Sequence, residues 1–500
     1  MADVLITNDN SGSNSSGSFH NIVWASSSIG YFFWRDGDSD LVYAKTANGG
    51  ATWSSSTTLE SDTEMTCWAV WADWWTSGGT GNIVHIAFQG ITTVRYIAFD
   101  VSDDTFTTSV AVVTHGADGG APAWAKNASI AFDLDICKAR GGNLLIVSAM
   151  NDGSSPAAFC YRSVDAGVTW TARAEPYESD VTDRCMLQPG DAADTNDFIA
   201  IFWDVSANEI DRKNYDDSGD SWDLTNIATA MDERFQNTHQ FSVASRHSDN
   251  LSILVAINDG TTATCDLQAW AIGSASVTAL TNVWTDEANH IECAVTINQN
   301  NDDIYVFYNG DGVETLGAVK IRYKKSTDGG STWGSVVTYM EGAGTQINAI
   351  LVDPSVGNTR AGLIAAAWIT ITPNPNESYI NIVNAVSLGL KAVTLSGTIF
   401  GANEESIRAG GKTLILTLTG LVWDSSMGST NTQTTALING LDSGSSEALG
   451  WDAVVKAGLT STNVTRNSDT VVTIDFPAFA TYAITNAEII TATIESTSAS

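Results

Sequence analysis

The stretch Ser326–Trp333 reads STDGGSTW, and the chain returns to it. Near copies stand at Thr46–Trp53 (TANGGATW), Ser163–Trp170 (SVDAGVTW) and Tyr215–Trp222 (YDDSGDSW). Each copy follows an apolar run that ends in an aromatic or basic residue: LVYAK from Leu41, FCYR from Phe159, EIDRK from Glu209 and VKIRYKK from Val319. Before each of these lies another apolar run: GYFFW from Gly30, LLIVSAM from Leu144, FIAIFW from Phe198 and IYVFY from Ile304. Runs this short, rich in Val, Ile, Phe and Tyr and separated by turn residues, are strands rather than helices. The unit is therefore strand, turn, strand, eight-residue box, strand.

Thr46 and Ser326 lie 280 residues apart, and division by five gives about 56 residues per unit. Three further units keep the strands without the box. One runs through NIVHIAF (Asn82) and VRYIAFD (Val94), with a worn box at SDDTFT (Ser102). Another runs through LSILVAI (Leu251) and CDLQAW (Cys265), and the last through GLIAAAW (Gly362) and YINIVNAV (Tyr379). Seven four-stranded units over residues 1–390 predict an all-β chain folded as a seven-bladed β-propeller. Six blades is the alternative, if the last unit merges with the N-terminal DVLIT strand to close the ring.

The box has a mechanical reading. Gly50, Gly167, Gly219 and Gly330 supply the positive-φ position of a tight turn. Asn48, Asp165, Asp217 and Asp328, two residues earlier, can bond backbone N–H groups within it, and Ser163 and Ser326 can cap what remains. The closing Trp53, Trp170, Trp222 and Trp333 each drop a large apolar plug between strands. The phrase resembles the Asp-box, or BNR repeat, of the sialidase superfamily, S-x-D-x-G-x-T-W. Two copies match it fully; the first carries Asn48 for Asp and the third Tyr215 for Ser. The resemblance implies a sialidase-like propeller and does not by itself imply catalysis.

The formal net charge is −34, from 23 basic and 57 acidic residues. Such a surface repels phosphate backbones and anionic lipid, which argues against nucleic-acid and membrane partners. It could host divalent cations: the turns NDG (Asn151, Asn258) and NGDG (Asn309) offer carboxylate and carbonyl oxygens to calcium, or are simply type I′ hairpin turns. No cofactor is required by any motif. The six cysteines, Cys67, Cys137, Cys160, Cys185, Cys265 and Cys293, form no C-x-x-C pair and sit in or beside apolar runs. They read as buried free thiols, in keeping with assembly in a reducing cytosol. The start, MADVLITNDN, shows neither the basic nor the apolar region of a signal peptide. The expectation is a protein made in the host cytoplasm and released by lysis or another non-secretory route.

Near Leu390 the rhythm changes. Residues 391–500 carry 10 acidic and 5 basic residues, against 47 and 18 before them. GKTLILTLTG (Gly411) and TVVTIDF (Thr470) alternate with period two, while TTALINGL and SSEALGWDAVVKAGL have helical spacing. A serine pair before Glu447 can cap the second helix, and Gly458 sits where a terminating glycine would. Residues 391–500 thus read as a β-sandwich with one or two short helices. AGGKTLILTLTG and the run from ALINGLDSG to ITATI resemble a module recurrent at the C-termini of tailed-bacteriophage virion proteins. That resemblance implies a virion context.

A sialidase-like propeller implies an acid, a Tyr activated by Glu and three arginines clamping a carboxylate. The family's first arginine stands in a motif that here reads FHNIV (Phe19–Val23), with His20 in its place. WRDGDSD (Trp34–Asp40) could imitate the second arginine and the acidic loop through Arg35 with Asp38 or Asp40. Arg234 and Arg246 are further clamp candidates, and Glu377 with Tyr379 is the late Glu–Tyr neighbour. CWAVWADWWTSGG places Trp68, Trp71, Trp74 and Trp75 within eight positions, either as core or as a partly exposed sugar-stacking platform. The expected function is that of a bacteriophage virion structural protein on the particle surface: a tail fibre, receptor-binding appendage or head decoration. It would bind other virion proteins and a host-surface glycan or receptor, as a homo-oligomer, without catalysis. The rival readings are a sialidase-like glycoside hydrolase on a phage tail and a carbohydrate-binding lectin.

Overall fold

The structure, a computed structural model, describes residues 4–10, 20–61, 67–89, 93–114, 133–151, 156–176, 184–191, 194–204, 207–229, 231, 240–261, 264–287, 292–309, 320–341, 347–356, 363–370 and 376–384, and, further on, 410, 412–417, 427–428, 432–442, 448–468, 471–483 and 491–492. The chain separates into two compact units, Met1–Asn384 and Ala385–Ser500.

Seven sheets make up the first unit, antiparallel throughout except where Ser355–Val356 pairs parallel with Cys293–Asn298. With strands lettered A to D from the inside outward, blade 1 is Ile22–Trp24, Gly30–Arg35, Leu41–Thr46 and Thr57–Glu60. Blade 2 is Cys67–Ala72, Ile83–Gln89, Thr93–Asp100 and Val110–Thr114. Blade 3 is Asp133–Lys138, Leu144–Asn151, Pro156–Ser163 and Thr171–Ala172. Blade 4 is Arg184–Pro189, Phe198–Asp204, Glu209–Asp216 and Ser221–Thr229. Blade 5 is Phe241–Ser245, Ser252–Thr261, Thr264–Ile272 and Val277–Ala279. Blade 6 is Cys293–Asn298, Asp303–Asn309, Lys320–Ser326 and Val337–Glu341. Blade 7 takes Ile347–Val352, Ile364–Thr370 and Asn376–Asn384 from the end of the unit and Val4–Asn10 from its start.

The N-terminal strand does join the last sheet, with Val4 opposite Ile380 and Asn10 opposite Asn376, yet the count stays at seven. It supplies only the outer strand of a blade that has three others. This also explains why the last unit lacks a box: its strands C and D come from opposite ends of the unit, so no turn joins them.

The A strands form the inner ring and pack beside one another from blade to blade. Side chains stitch them. Asp135 Oδ2 accepts the Leu187 N–H (2.7 Å), Ser242 Oγ the Val295 N–H (3.1 Å) and Asp353 Oδ2 the Trp24 N–H (2.7 Å). Between blades 1 and 2 the Tyr31 and Phe99 rings meet edge to face at 5.2 Å. The strands read as near-continuous apolar runs because both faces are covered by neighbouring blades. All six cysteines are free and buried among them.

In the second unit a three-stranded sheet orders Lys412–Thr417, Val471–Phe476 and Val464–Arg466, and Leu441–Asp442 pairs with Thr491–Ala492. Leu414, Leu416, Val472, Ile474 and Phe476 turn one face of the larger sheet into a core. A helix over Thr432–Asn439 and a wide turn over Trp451–Lys456 bring Leu437 and Trp451 onto it. Gly458 differs from expectation. It does not adopt positive φ, and a Cβ there would stand 2.6 Å from the Phe479 ring. Close packing, not helix termination, requires a glycine.

Candidate functional site

The ring has two ends. Strands A run toward one of them, where the A–B and C–D connections lie; the B–C and D–A connections lie at the other.

The repeated boxes are the C–D turns of blades 1, 3, 4 and 6. In blade 6 Ser326 Oγ donates to Asp328 Oδ1 (2.8 Å) and accepts the Gly330 N–H (2.8 Å). Asp328 accepts the Thr332 N–H (2.9 Å) and hydroxyl (2.6 Å). Blade 3 repeats this with Ser163, Asp165, Gly167 and Thr169. In blade 1 Asn48 accepts the Thr52 N–H through Oδ1 and its amide donates to the Thr52 hydroxyl, so the polarity of one bond is reversed.

These turns also grip the preceding blade. Gly330 has φ +90, and a Cβ on it would meet Leu280 of blade 5 at 2.7 Å; Gly167 has φ +91, and a Cβ would meet the Tyr96 ring of blade 2 at 2.1 Å. Trp333 Nε1 donates to Thr281 O of blade 5 (2.8 Å). The closing tryptophans are therefore not plugs between strands. Trp53, Trp170, Trp222 and Trp333 are half-buried, and three of the four reach the preceding blade, Trp170 by packing 5.4 Å from Tyr96 and Trp222 by its Nε1 donating to Ala174 O (2.8 Å).

The third copy departs further. Its hairpin is tight, Asp216 pairing with Ser221, and the positive φ falls on Asp220 rather than Gly219. Asp216, not Asp217, accepts the Gly219 N–H (2.9 Å). Asp217 pairs instead with Arg162 of blade 3 (2.8 Å) and accepts from the Asn143 amide (3.0 Å). The bulky Tyr215 at the serine position explains the change: its buried ring cannot bond the turn backbone, and its hydroxyl meets Asp220 (3.0 Å) and Arg173 (2.7 Å). Turns without a box do the same work. Asp104 of blade 2 binds Tyr31 and Lys45 of blade 1, and Gly273 and Ser274 of blade 5 bind Arg212 and Asp191 of blade 4.

The tryptophan-rich stretch has the other role at this end. Trp68, Trp71, Trp74 and Trp75 are 2%, 2%, 3% and 1% exposed, so none offers a stacking platform. The 73–82 segment leaves blade 2 and meets blades 1, 3 and 5. Trp75 packs edge-on to His20 at 5.7 Å, Thr76 Oγ1 donates to Lys138 O (2.7 Å), and His247 Nε2 donates to Trp75 O (2.9 Å). It thus reaches across the ring from blade 2 to blade 5, at the end called closed below. Buried Asp73 anchors it, accepting from His85 (3.0 Å), the Ile83 N–H (3.0 Å) and Lys138. Burial works to raise the Asp73 carboxyl, and the bonds from His85 and Lys138 outweigh it and hold it below the usual range. Burial pushes the His85 imidazole down. Neither Asp73 nor His85 stood out in sequence, because no local spacing links them.

At the opposite end, the residue opening strand A is a buried polar side chain in four blades: Asn21, Arg184, Gln240 and Glu292. Asn21 O accepts the Phe33 N–H, Gln240 O the Ile257 N–H and Glu292 O the Asn309 N–H, so three of them hold equivalent places. Asn21 Oδ1 and both polar atoms of the Gln240 amide are buried without a hydrogen-bond partner. Deeper in blade 4, burial and then Glu209 push the Asp211 carboxyl up to about 6. Residues 62–66, 90–92, 115–132, 177–183, 232–239, 288–291, 310–319 and 342–346 lie outside the described residues.

Arg35 stands at this end, away from the tryptophans. Its guanidinium donates to Ser39 Oγ (2.6 Å). Asp38 and Asp40 shape the same loop through backbone N–H groups bonded to Asp36 Oδ1, and Asp9 of the N-terminal strand accepts the Gly37 N–H. Arg246 lies at the other end of the ring, bonded twice to Asp249; Arg234 lies outside the described residues. The described arginines do not assemble a clamp. Glu377 and Tyr379 share a strand face and meet, Tyr379 donating to Glu377 Oε2 (2.7 Å). Asn258 sits within strand B of blade 5 and not in a turn; the turns after Asn151 and Asn309 lie outside the described residues. Among the described residues no cluster of His, Cys, Asp and Glu could hold a metal ion. No described helix is long and apolar enough to cross a membrane.

No family model matches the chain and no curated protein matches it. Solved structures do. A PL25 ulvan lyase, a polysaccharide lyase, is 9% identical over 77% of this chain and 95% of its own, with a TM-score of 0.49. The fucose-specific lectin of Aleuria aurantia is 13% identical over 64% of this chain and 92% of its own (TM-score 0.37). The Trypanosoma rangeli sialidase is 13% identical over 59% of this chain and 53% of its own (TM-score 0.39). At such scores the likeness carries no weight for activity. The sheet order of the chain itself makes its first unit a seven-bladed β-propeller.

Proposed function

We propose that this chain is a surface protein of a tailed-bacteriophage particle whose propeller binds a host glycan without turning it over. The observation that carries the binding reading is the set of buried polar groups opening the A strands, Asn21, Arg184, Gln240 and Glu292, at the end opposite the closed one. The Gln240 amide and Asn21 Oδ1, buried without partners among the described residues, suit a hydroxyl-rich ligand that supplies both donors and acceptors. The boxes, read as Asp-boxes, belong to the scaffold.

The virion reading rests on the resemblance of residues 391–500 to phage C-terminal modules. In it the second unit attaches the protein to other virion proteins or to further copies of itself, and the chain is made in the host cytoplasm.

One observation favours the enzyme reading: the Tyr379–Glu377 bond is of the kind that activates a tyrosine nucleophile. Against it stand His20 in place of an arginine and Arg35 held within its own loop. Two experiments decide. A glycan array should give specific binding that Gln240→Ala abolishes, and fluorogenic sialosides should remain intact. Hydrolysis lost in Tyr379→Phe would replace the binding reading with the enzymatic one. For the virion reading, deletion of residues 391–500 should abolish incorporation into particles; normal incorporation would overturn the attachment role.

A further inference from the structure

Gln240 narrows the glycan reading of the proposed function, on which this inference rests. It stands directly before strand A of blade 5, and its backbone is held: its carbonyl accepts the Ile257 N–H (2.8 Å) and the Cys293 thiol of blade 6 (3.3 Å). Side chains alternate along a strand, so Gln240 shares a face with Ser242, whose Oγ accepts the Val295 N–H of blade 6 (3.1 Å). The Gln240 side chain therefore lies on the inner ring, at the seam of blades 5 and 6.

Other polar side chains of the inner ring stitch blade to blade. Asp135, Ser242 and Asp353 each take an N–H of the next A strand. Gln240 takes none. Its side chain is in a residue only 2% exposed, and neither Oε1 nor Nε2 has a hydrogen-bond partner among the described residues. A buried amide with both atoms unpaired opposes folding, and the packing of the ring gives nothing back for it.

An amide puts a donor, Nε2, beside an acceptor, Oε1, in one plane. A carboxylate brings acceptors alone and an ammonium donors alone, so either leaves half of the amide unpaired. A trans acetamido group holds its N–H and C=O on opposite sides, so it meets one atom and not both. Two hydroxyls on neighbouring carbons of a sugar ring meet both, since each hydroxyl can donate or accept. We propose that Gln240 binds a vicinal diol of a neutral sugar ring, one hydroxyl donating to Oε1 and its neighbour accepting from Nε2.

A glycan array of the full chain comes first: no bound glycan would sink the glycan reading and the diol with it. For the sugar common to the bound glycans, the methyl glycoside and its monodeoxy forms are then titrated by calorimetry. Two monodeoxy forms, lacking hydroxyls on neighbouring carbons, should each bind at least tenfold more weakly, because each leaves one atom of the amide unpaired. Gln240→Met, unbranched and without the amide, should abolish binding with an unchanged melting temperature. Gln240→Glu should keep binding, since a carboxylate accepts from both hydroxyls and a carboxylic acid pairs with one each way. Sensitive positions that are not neighbours, binding confined to acidic sugars, full binding by Gln240→Met, or loss of binding in a folded Gln240→Glu would each overturn the diol and leave the glycan reading in place. The deoxy series reads the wild-type chain, so it decides even where a Gln240 variant does not fold.

Discussion

The two ends of the ring differ in what their polar groups do. At the closed end many of them tie one part of the ring to another: the C–D turns reach the preceding blade, and the 73–82 segment reaches blades 1, 3 and 5. At the other end the polar residues that open the A strands are buried, and among the described residues Asn21 Oδ1 and both polar atoms of the Gln240 amide find no hydrogen-bond partner. A propeller needs each blade to hold its neighbour, and short turns of one design do this repeatedly. Binding needs groups left unspent. On the proposed function the chain would segregate the two tasks, and a residue's end of the ring would then indicate whether its loss should cost stability or binding.

The largest test of that contrast is Trp75→Ala. It removes a buried indole from the segment that reaches across the ring and should cost about 3–5 kcal/mol in urea unfolding. A loss below about 1 kcal/mol would mean the segment does not brace the ring.

Next comes the pair Gly167→Ala and Gly219→Ala. The first forces a Cβ toward Tyr96 at positive φ and should cost roughly 2–4 kcal/mol. The second sits at ordinary φ, where a Cβ would first meet the exposed Asp216 carboxylate, at 2.6 Å, and should cost about 1 kcal/mol. Equal costs would show that the third copy works like the others.

Trp333→Ala follows. A fully buried tryptophan would cost about 3–5 kcal/mol, but this half-buried ring should cost roughly 1–3.

The last test reads a slope against pH and not a single loss. Burial raises the Asp353 carboxyl to about 8, against the bonds from Trp24 and Ser355 that favour its charge. A carboxyl raised above its unfolded value of about 3.9 binds its proton more tightly when folded. Its contribution is therefore complete below about pH 4 and fades as pH rises toward 8. Asp353→Asn should flatten stability against pH across that window; an unchanged slope would place the titration elsewhere.

Much of this was legible in the sequence because the box is local. Ser326, Asp328, Gly330 and Thr332 bond within seven residues, so spacing alone reveals their turn, and seven apolar units reveal the blades. The limits were equally physical. Tyr215–Trp222 resembles the box in letters, yet one bulky residue moves the work from Asp217 to Asp216. Trp68–Trp75 could not be assigned to core or surface, because their burial depends on blades 1, 3 and 5, more than a hundred residues away in part. Arg35 was visible as a candidate, but its commitment to Ser39 depends on a turn whose φ at Ser39 is +72. The polar residues opening the A strands form a set only once the ring aligns them.

The segregation of stability from binding is tested most directly by comparing Gln240→Ala with Trp333→Ala in the same two measurements, melting temperature and glycan-array binding. Gln240→Ala removes a buried amide that has no partner, so stability should change by less than about 1 kcal/mol while glycan binding is lost. Trp333→Ala should lower the melting temperature and retain glycan binding below it. A Gln240 variant that melts early but still binds, beside a Trp333 variant that is stable and fails to bind, would contradict the account.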